Sequence, residues 1–272
     1  MNLAETDADY IRELVRERSA IVVDANKTYL IESRLAPVAR QQGLGNAGDL
    51  VAALRRQPRG QLRDLIVDAM TTNETSFFRD PNLWKGLEEE ILPQLIEARR
   101  PMKALNFWSA ACSSGQEPYS LAMLLLDRFP ELADWNVRII ATDLSAEMLG
   151  RAAAGRFTQL EVNRGMPAPM LVKHFTRTGA QWQISDRVRQ MVEFRVVNLV
   201  QPWPFLPAID VLFCRNVLIY FDLETKRDIL DKSRNVLRPD GYLLLGGAET
   251  TLNVDDRFER VAASRATAYR PR

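Results

Sequence analysis

A chain of 272 residues is long enough for one large domain or for two unequal ones. The 36 basic side chains nearly balance the 35 acidic ones, which argues against a nucleic-acid-binding protein, since these usually have a basic face. Two cysteines are too few for a disulfide framework, the acidic start is unlike a signal peptide, and no apolar run is long enough to span a membrane. We therefore expect a soluble cytoplasmic protein.

Residues 1–70 have a helical pattern throughout. Apolar residues recur at helical spacing behind the possible cap Asp7, and Asn46 is a candidate cap further along. This predicts an N-terminal all-α domain that carries no catalytic constellation. The segment 71–80, TTNETSFFRD, interrupts the pattern, and Asp80-Pro81 is typical of a cap followed by proline in the first helical turn.

From about residue 105, short apolar strands alternate with helices. The predicted strands are LNFWSA (105–110), VRIIATD (137–143), MVEFRVV (191–197), IDVLFC (209–214) and YLLLG (242–246). Such alternation indicates a parallel sheet with helices on both faces. A short helix and a small hairpin at about 155–190 interrupt it, so we expect an inserted β-subdomain suited to partner recognition. The predicted fold is an α/β, Rossmann-like domain over 81–272, preceded by the helical domain 1–70 and the interdomain segment 71–80.

Ligands of such sheets bind at the carboxyl ends of the strands. The loop after the first strand contains one glycine, Gly115, and so lacks the glycine-rich pattern that binds a pyrophosphate. A cofactor without phosphates tolerates such a loop, and S-adenosylmethionine is one. Glu117 could bind its amino group, although an acidic residue in a first helical turn is also common without a ligand. Asp143 ends the second strand, where its carboxylate can accept hydrogen bonds from both hydroxyl groups of a cofactor ribose. The alternative, that Asp143 caps the next helix, is weaker because Ser145 is available for that.

Polar residues also follow the third and fourth strands. Asn198 and the backbone amide of Leu199 are placed to form hydrogen bonds with the edge of an adenine ring. Asn198 is equally typical of a turn. Arg215 and Asn216 stand at the mouth of an apolar strand. Burying them without partners would cost several kcal/mol, so a ligand or a salt bridge must satisfy them.

The sequence offers no general base. His174 is the single histidine and lies in the insertion, and neither a nucleophile–histidine pair nor a metal cluster can be assembled. A carboxylate that accepts a methyl group is already ionised at pH 7 and needs no base. Alignment of the two reactants alone can lower the activation barrier by about 7–11 kcal/mol. Methyl transfer to a carboxylate therefore suits the residues available.

Taken together, these motifs resemble the chemotaxis receptor glutamate methyltransferases, the CheR family. The matching segments are TTNETSFFRD (71–80), WSAACSSGQEPYSLA (108–122), IIATDLS (139–145), VVNL (196–199), FCRNVLIYFD (213–222) and LRPDGYLLLG (237–246). With the helical front end they cover nearly the whole chain in order. The resemblance implies a class I S-adenosylmethionine methyltransferase that methylates glutamate side chains in the cytoplasmic domain of chemoreceptors, giving methyl esters and S-adenosylhomocysteine for sensory adaptation.

The resemblance also implies roles for individual residues. The residues that it assigns to the cofactor pocket are Asn73, Thr75 and Arg79 from the interdomain segment, together with Glu117, Asp143, Asn198, Leu199, Arg215 and Asn216. Arg79 and Tyr220 would lie nearest the reacting methyl group. Arg79 can pin a carboxylate through paired hydrogen bonds. Without the resemblance, Arg79 reads as a surface charge and Tyr220 as a core residue.

In this family the helical domain is thought to approach the receptor with basic residues. Here Lys27 and Arg34 would share a helix face, although two solvated charges explain them as well. Relatives that dock on a receptor's C-terminal pentapeptide carry a longer glycine-containing loop in the inserted hairpin than residues 178–182 provide. We therefore expect a monomer that works without the pentapeptide and binds neither nucleic acid nor membrane.

Two alternatives remain open at this point. One is an S-adenosylmethionine methyltransferase that acts on a small molecule or a nucleic acid. The balanced charge argues against a nucleic acid, as does Val217 after Asn216, where base methyltransferases have an N-P-P-Y-type sequence. The other is a signalling module that binds the cofactor without turnover, which the presence of Arg79 and Tyr220 disfavours.

Overall fold

The computed structural model describes residues 3–58, 60–263 and 266–272. The chain divides into two compact units, one made of the residues up to Thr72 with Tyr220–Thr225, the other of Asn73–Ile219 and Lys226–Arg272. Among the described residues, no helix is both long enough and apolar enough to cross a membrane.

Helices fill the described residues up to Thr72. They are α1 Glu5–Ser19, α2 Thr28–Gln41, α3 Ala47–Arg56 and α4 Gln61–Met70, around a core that includes Ile11, Val15, Ile31, Leu35, Leu50, Leu54 and Ile66. Asn46 caps α3 as predicted, since its side-chain oxygen accepts the Asp49 N–H at 3.0 Å. The expectation that Asp7 caps α1 is wrong. That helix begins two residues earlier, and Asp7 pairs instead with Arg55 at 3.0 Å.

The rest of the chain supplies the strands and eight further helices of the described part. The helices are α5 Pro81–Gly86, α6 Leu92–Arg99, α7 Gln116–Arg128, α8 Ala146–Ala154, α9 Gln159–Asn163, α10 Ala168–His174, α11 Asp186–Arg189 and α12 Leu223–Val236. The strands are β1 Ala104–Ala110, β2 Asn136–Asp143, β3 Arg156–Thr158, β4 Phe175–Thr178, β5 Gln181–Ile184, β6 Val192–Val196, β7 Ile209–Cys214, β8 Leu237–Leu244, β9 Phe258–Ala263 and β10 Ala266–Pro271.

The main sheet has the strand order β6-β2-β1-β7-β8-β10-β9. Strands β6, β2, β1, β7 and β8 run parallel, which confirms the predicted Rossmann-like α/β fold. Strand order reverses between β1 and β7, and Ala110 of β1 is in register with both Thr142 and Cys214. The carboxyl ends of β1, β2 and β7 therefore meet at one edge of the sheet.

The core of this unit lies between the sheet and its helices. All six residues of β7 are buried, as expected for a parallel strand covered on both faces. The ring of Trp84 on α5 stacks on Phe213 with centroids 6.0 Å apart. This contact fixes the start of α5, and with it the end of the interdomain segment, against the sheet.

A network of buried charges lies around Asp210 near the beginning of β7. Asp210 is fully buried and accepts the Nε–H of Arg99 at 2.7 Å and the backbone N–H of Asn106 at 2.7 Å. The same guanidinium donates two hydrogen bonds to the Asp240 carboxylate, at 2.6 and 2.8 Å. These bonds to Asp240, the largest cause, together with those to Asp210, raise the pKa of Arg99 and keep it charged despite burial. One guanidinium thereby ties α6 to β7 and β8.

The insertion forms a second sheet with the order β3-β5-β4. The short helix and the hairpin were predicted; the third strand, β3, was not. Phe77 anchors the interdomain segment here, its ring making edge contacts with Phe157 at 5.0 Å and Phe175 at 5.7 Å. His174 is buried, with Nε2 3.0 Å from Asp127 Oδ1.

Two strands of the main sheet, β9 and β10, were also missing from the sequence prediction. Strand β10 runs antiparallel to both β8 and β9, and β9 forms this edge of the sheet. Their sequence shows little alternation, since Phe258 is followed by exposed Glu259 and Arg260. The pattern of apolar and polar residues in these segments is too short to distinguish a strand from a loop. Only pairing with the edge of the sheet shows that they are strands.

Candidate cofactor site

Asp143 lies at the reversal point of the sheet and is buried. Its Oδ2 accepts the backbone N–H of Ser113 at 2.7 Å, and its Oδ1 accepts that of Ser145 at 2.9 Å. Burial raises the pKa of this carboxyl, while the N–H groups of Ser145 and Ser113 act in the opposite direction. The cap of α8 is Ser145, whose Oγ accepts the Met148 N–H at 3.2 Å. A carboxylate has about four acceptor sites, so Asp143 keeps acceptor capacity beyond these N–H groups for a ligand hydroxyl.

The loop between β1 and α7 is held in an unusual backbone conformation. Ala111, Ser113 and Gly115 have φ angles of 57°, 50° and 90°. A Cβ atom at Gly115 would lie 2.9 Å from that of Ala152, so this position needs glycine for both space and conformation. Ser113 Oγ also donates to the Asn73 carbonyl at 2.8 Å, which brings the interdomain segment to the same loop.

Arg215 connects three parts of the site. Its buried guanidinium donates from Nη1 to Glu117 Oε2 at 2.7 Å and from Nη2 to Asp80 Oδ2 and, at 3.3 Å, to the Arg79 carbonyl. Glu117 also accepts the Ser109 hydroxyl at 2.8 Å. The salt bridge that burial of Arg215 requires thus comes from Glu117 and Asp80.

The expectation that Asp80 caps the helix after it is wrong. Its side chain forms no cap hydrogen bond, and its φ angle is 63°, in the left-handed region. The Asp80 carboxylate instead accepts a hydrogen bond from the buried Arg215 guanidinium, a charged donor that forms stronger bonds than the N–H groups of the helix start. Asp80 therefore serves as the outer partner of Arg215.

The main chain of Arg79 is fixed while its side chain stays half-buried. Its carbonyl accepts the Trp84 indole N–H at 2.9 Å in addition to Arg215. The guanidinium makes one long contact, 3.3 Å, to the Glu74 carbonyl. Arg79 is thus held in place with donors left for an incoming carboxylate. Thr75, in the same segment, is half-buried.

Asn198 and Leu199 follow β6 as predicted. The Asn198 side-chain oxygen accepts the Val200 N–H at 3.2 Å, as a turn asparagine does. Leu199 is buried, and its carbonyl accepts the Trp203 indole at 3.0 Å and Lys232 Nζ at 2.8 Å. These contacts hold the turn after β6; a role in reading adenine stays a prediction.

Tyr220 belongs to the helical unit, where its carbonyl accepts the Val22 N–H at 3.0 Å. In the same unit, Arg34 donates to the Met70 carbonyl at 2.5 Å and to Thr72 Oγ1 at 2.8 Å. Burial lowers the pKa of Arg34, and Tyr220 counteracts this. Arg34 is therefore engaged at the end of α4 rather than being a solvated charge.

Sequence reasoning missed Glu249. Both oxygens of this buried carboxylate accept backbone N–H groups, from Gly246 and from Asn216, Val217 and Ile219. The available signal is the one that identified Asp143, an acidic residue just after the carboxyl end of a strand, here β8. Glu249 holds the loop that begins with Arg215.

These groups fit S-adenosylmethionine. Among the described residues, Arg215 Nε is buried without a hydrogen-bond partner and so has a donor left for a ligand carboxylate. Asp143 keeps acceptor capacity for a ligand hydroxyl. Burial raises the pKa of Cys112 and of Cys214, so neither thiol is a ready nucleophile.

We expect Asp143→Ala to weaken cofactor binding by about 1–3 kcal/mol, because the N–H groups of Ser113 and Ser145 and the ribose hydroxyls predicted to bind there lose their acceptor. Titration calorimetry with S-adenosylhomocysteine measures the change. Asp186→Ala, at an exposed ion pair on α11, is the control. Unchanged affinity in Asp143→Ala would remove this residue from the ribose.

Comparison with known proteins assigns both parts of the chain. Residues 6–71 match the family description "CheR methyltransferase, all-alpha domain", and residues 73–267 match "CheR methyltransferase, SAM binding domain". The chain is 42% identical to chemotaxis protein methyltransferase 1 of Pseudomonas aeruginosa and 39% identical to chemotaxis protein methyltransferase Cher2 of Pseudomonas putida. Each alignment covers 99% of both chains. A chemotaxis protein methyltransferase of Vibrio parahaemolyticus is 38% identical, with 97% of each chain covered.

Proposed function

Because the chain belongs to the CheR family of S-adenosylmethionine-dependent methyltransferases, we propose that it methylates glutamate side chains in the cytoplasmic domains of methyl-accepting chemoreceptors. The products are glutamate methyl esters and S-adenosylhomocysteine, formed during sensory adaptation. One observation carries the proposal at the level of the site. The buried Arg215 guanidinium joins Glu117, in the first turn of α7, to the backbone of Arg79.

When bound, S-adenosylmethionine supplies an electrophilic methyl group on a sulfonium. Asp143 would hold the ribose, and Glu117 with Arg215 would hold the amino acid end. Arg79 would orient the acceptor carboxylate, since a guanidinium donates two parallel hydrogen bonds to it. Tyr220 would complete the reacting centre, and Asn73, Thr75, Asn198, Leu199 and Asn216 the pocket wall.

A carboxylate acceptor also accounts for the side chains at this edge of the sheet. It is ionised at pH 7 and needs no general base. The two buried thiols have raised pKa values and remain protonated. Orientation by fixed donors is then the main contribution left to the protein. This favours receptor glutamate over an amine or alcohol acceptor.

Transfer of labelled methyl groups to receptor-containing membranes tests the proposal. We expect label on the receptor that base releases as methanol, and none with Arg79→Ala, whose backbone contacts remain. Membranes with the receptor glutamates changed to alanine are the control. Label that is stable to base, or confined to small molecules or nucleic acid, would favour another acceptor, and bound cofactor without transfer would favour a non-catalytic module.

We also propose that the enzyme acts as a cytoplasmic monomer and without a receptor pentapeptide. The hairpin turn between β4 and β5 has two residues, Gly179 and Ala180, since Thr178 pairs with Gln181. Such a turn offers little backbone for a docked peptide. We expect calorimetry to detect no micromolar binding of a receptor C-terminal pentapeptide, and light scattering to give the mass of one chain. Micromolar affinity would refute independence from the pentapeptide.

A further inference from the structure

Glu249 binds the backbone of two neighbouring parallel strands where they end. Its Oε2 accepts the N–H groups of Asn216 and Gly246, each at 2.7 Å. Its Oε1 accepts those of Val217 at 2.9 Å and Ile219 at 3.3 Å. A single buried carboxylate thus gathers three amides from the loop after β7 and one from the end of β8.

This arrangement determines the shape of the loop that carries Arg215 and Asn216. Asn216 has a φ angle of 58°, in the left-handed region that glycine adopts freely and that asparagine tolerates better than most other residues. The two bonds that bracket it, to its own N–H and to that of Val217, come from Glu249. Hydrogen bonds to a charged acceptor are stronger than neutral ones, so the carboxylate can offset the backbone strain.

Gly246 constrains the Asn216 side chain from the other side. A Cβ atom at Gly246 would clash with the Asn216 amide nitrogen and lie 2.8 Å from Glu249 Oε2. The absence of a side chain here therefore lets the Asn216 amide lie directly against the end of β8. Glu249 fixes the Asn216 main chain, and Gly246 makes room for its side chain.

We propose that Glu249 is a positioning residue for methyl transfer, which holds Asn216 and the adjoining Arg215 in the geometry that binds the cofactor. This rests on the proposed function of the site. Glu249 acts through the loop after β7 and touches neither substrate nor cofactor. Its charge is needed as well as its shape, because four N–H groups converge on two acceptor oxygens.

Glu249→Gln removes the charge of this side chain while keeping its size, and so tests whether the charge is needed. A glutamine of the same size has one acceptor oxygen and an NH2 group, so two of the four N–H groups would face a donor. We expect a rise of about tenfold in the dissociation constant of S-adenosylhomocysteine and a similar fall in kcat at saturating S-adenosylmethionine. Glu249→Asp keeps the charge and both oxygens and should lie between the wild type and Glu249→Gln. Glu259→Gln, on an exposed face of β9, is the matched control.

Calorimetry separates positioning from loss of folded protein. A positioning role keeps about one binding site per chain with weaker affinity, whereas a purely structural role lowers the number of sites and leaves their affinity unchanged. Gly246→Ala provides a second variant, whose Cβ atom displaces the Asn216 amide and crowds Glu249 Oε2, and it should weaken affinity in the same way. Wild-type affinity and kcat in Glu249→Gln with a full complement of sites would overturn the proposal. If the wild type methylates no receptor, the proposed function fails, while the S-adenosylhomocysteine titrations still decide the role of Glu249.

Discussion

Asp210→Ala is expected to destabilise the methyltransferase unit by about 3–5 kcal/mol, the cost of removing one partner from a buried ion pair. Asp210 is fully buried, and its removal leaves Arg99 Nε and the Asn106 N–H without an acceptor. Asp240 still pairs with Arg99, but it is half exposed and cannot replace the lost bonds. The consequence should be a cooperative loss of stability rather than a local loosening.

Urea unfolding followed by tryptophan fluorescence measures this effect in the relevant unit. All five tryptophans lie there: Trp84, Trp108, Trp135, Trp182 and Trp203. Asp186→Ala, which breaks an exposed pair with Arg189, is the control and should leave the midpoint nearly unchanged. A midpoint for Asp210→Ala equal to that of the control would show that the buried network does not contribute to stability.

Arg215→Met is expected to lower methyl transfer by about a hundredfold or more, the usual effect of removing a preorganised donor from an active site. The Arg215 side chain is 2% exposed, so its loss leaves the carboxylate of Glu117 poorly solvated and without a cation. It also releases the Arg79 carbonyl and Asp80. Affinity for S-adenosylhomocysteine should fall as well, because the buried Nε donor is lost.

Arg215→Lys distinguishes the role of charge from that of shape. Lysine keeps the positive charge but cannot reach Glu117, Asp80 and the Arg79 carbonyl together, because its donors sit on one nitrogen. We expect it to recover little of the activity that the methionine variant loses. Parallel assays of methyl transfer and of thermal unfolding are required. Wild-type turnover in Arg215→Lys would show that charge alone suffices and that the three-way contact is unnecessary.

The sheet and the polar residues at its carboxyl edge could be predicted from sequence because each left a local signal. Alternation of strands and helices identified the parallel fold, and Asp143 was found from its place after the second strand. For Arg215, the argument from burial required a ligand or a salt bridge, and the structure contains two salt bridges with a buried Nε left over. These inferences rest on periodicity and on the cost of burying a charge, which a single sequence reveals.

The partners themselves could not be predicted. Asp80 lies 135 residues from Arg215 in the chain, and its local sequence, Asp-Pro, favours a helix cap. Glu249 binds backbone N–H groups, and within the described part of the chain no hydrogen-bonded side chain marks it. Strands β9 and β10 depend on the edge of β8 that they extend. In each case a contact with a residue distant in the chain determines the structure, and the local sequence does not reveal that contact.

The inclusion of Tyr220–Thr225 in the helical unit has a consequence for recombination between relatives. The polypeptide passes between the units three times, after Thr72, after Ile219 and after Thr225. In the short segment, Tyr220 is hydrogen-bonded to Val22, and Asp222 lies 3.7 Å from Arg16. A chimaera that exchanges residues 1–72 alone would therefore combine the helices of one parent with the six-residue segment of another. Exchanges that carry both segments together should give well-folded hybrids more often.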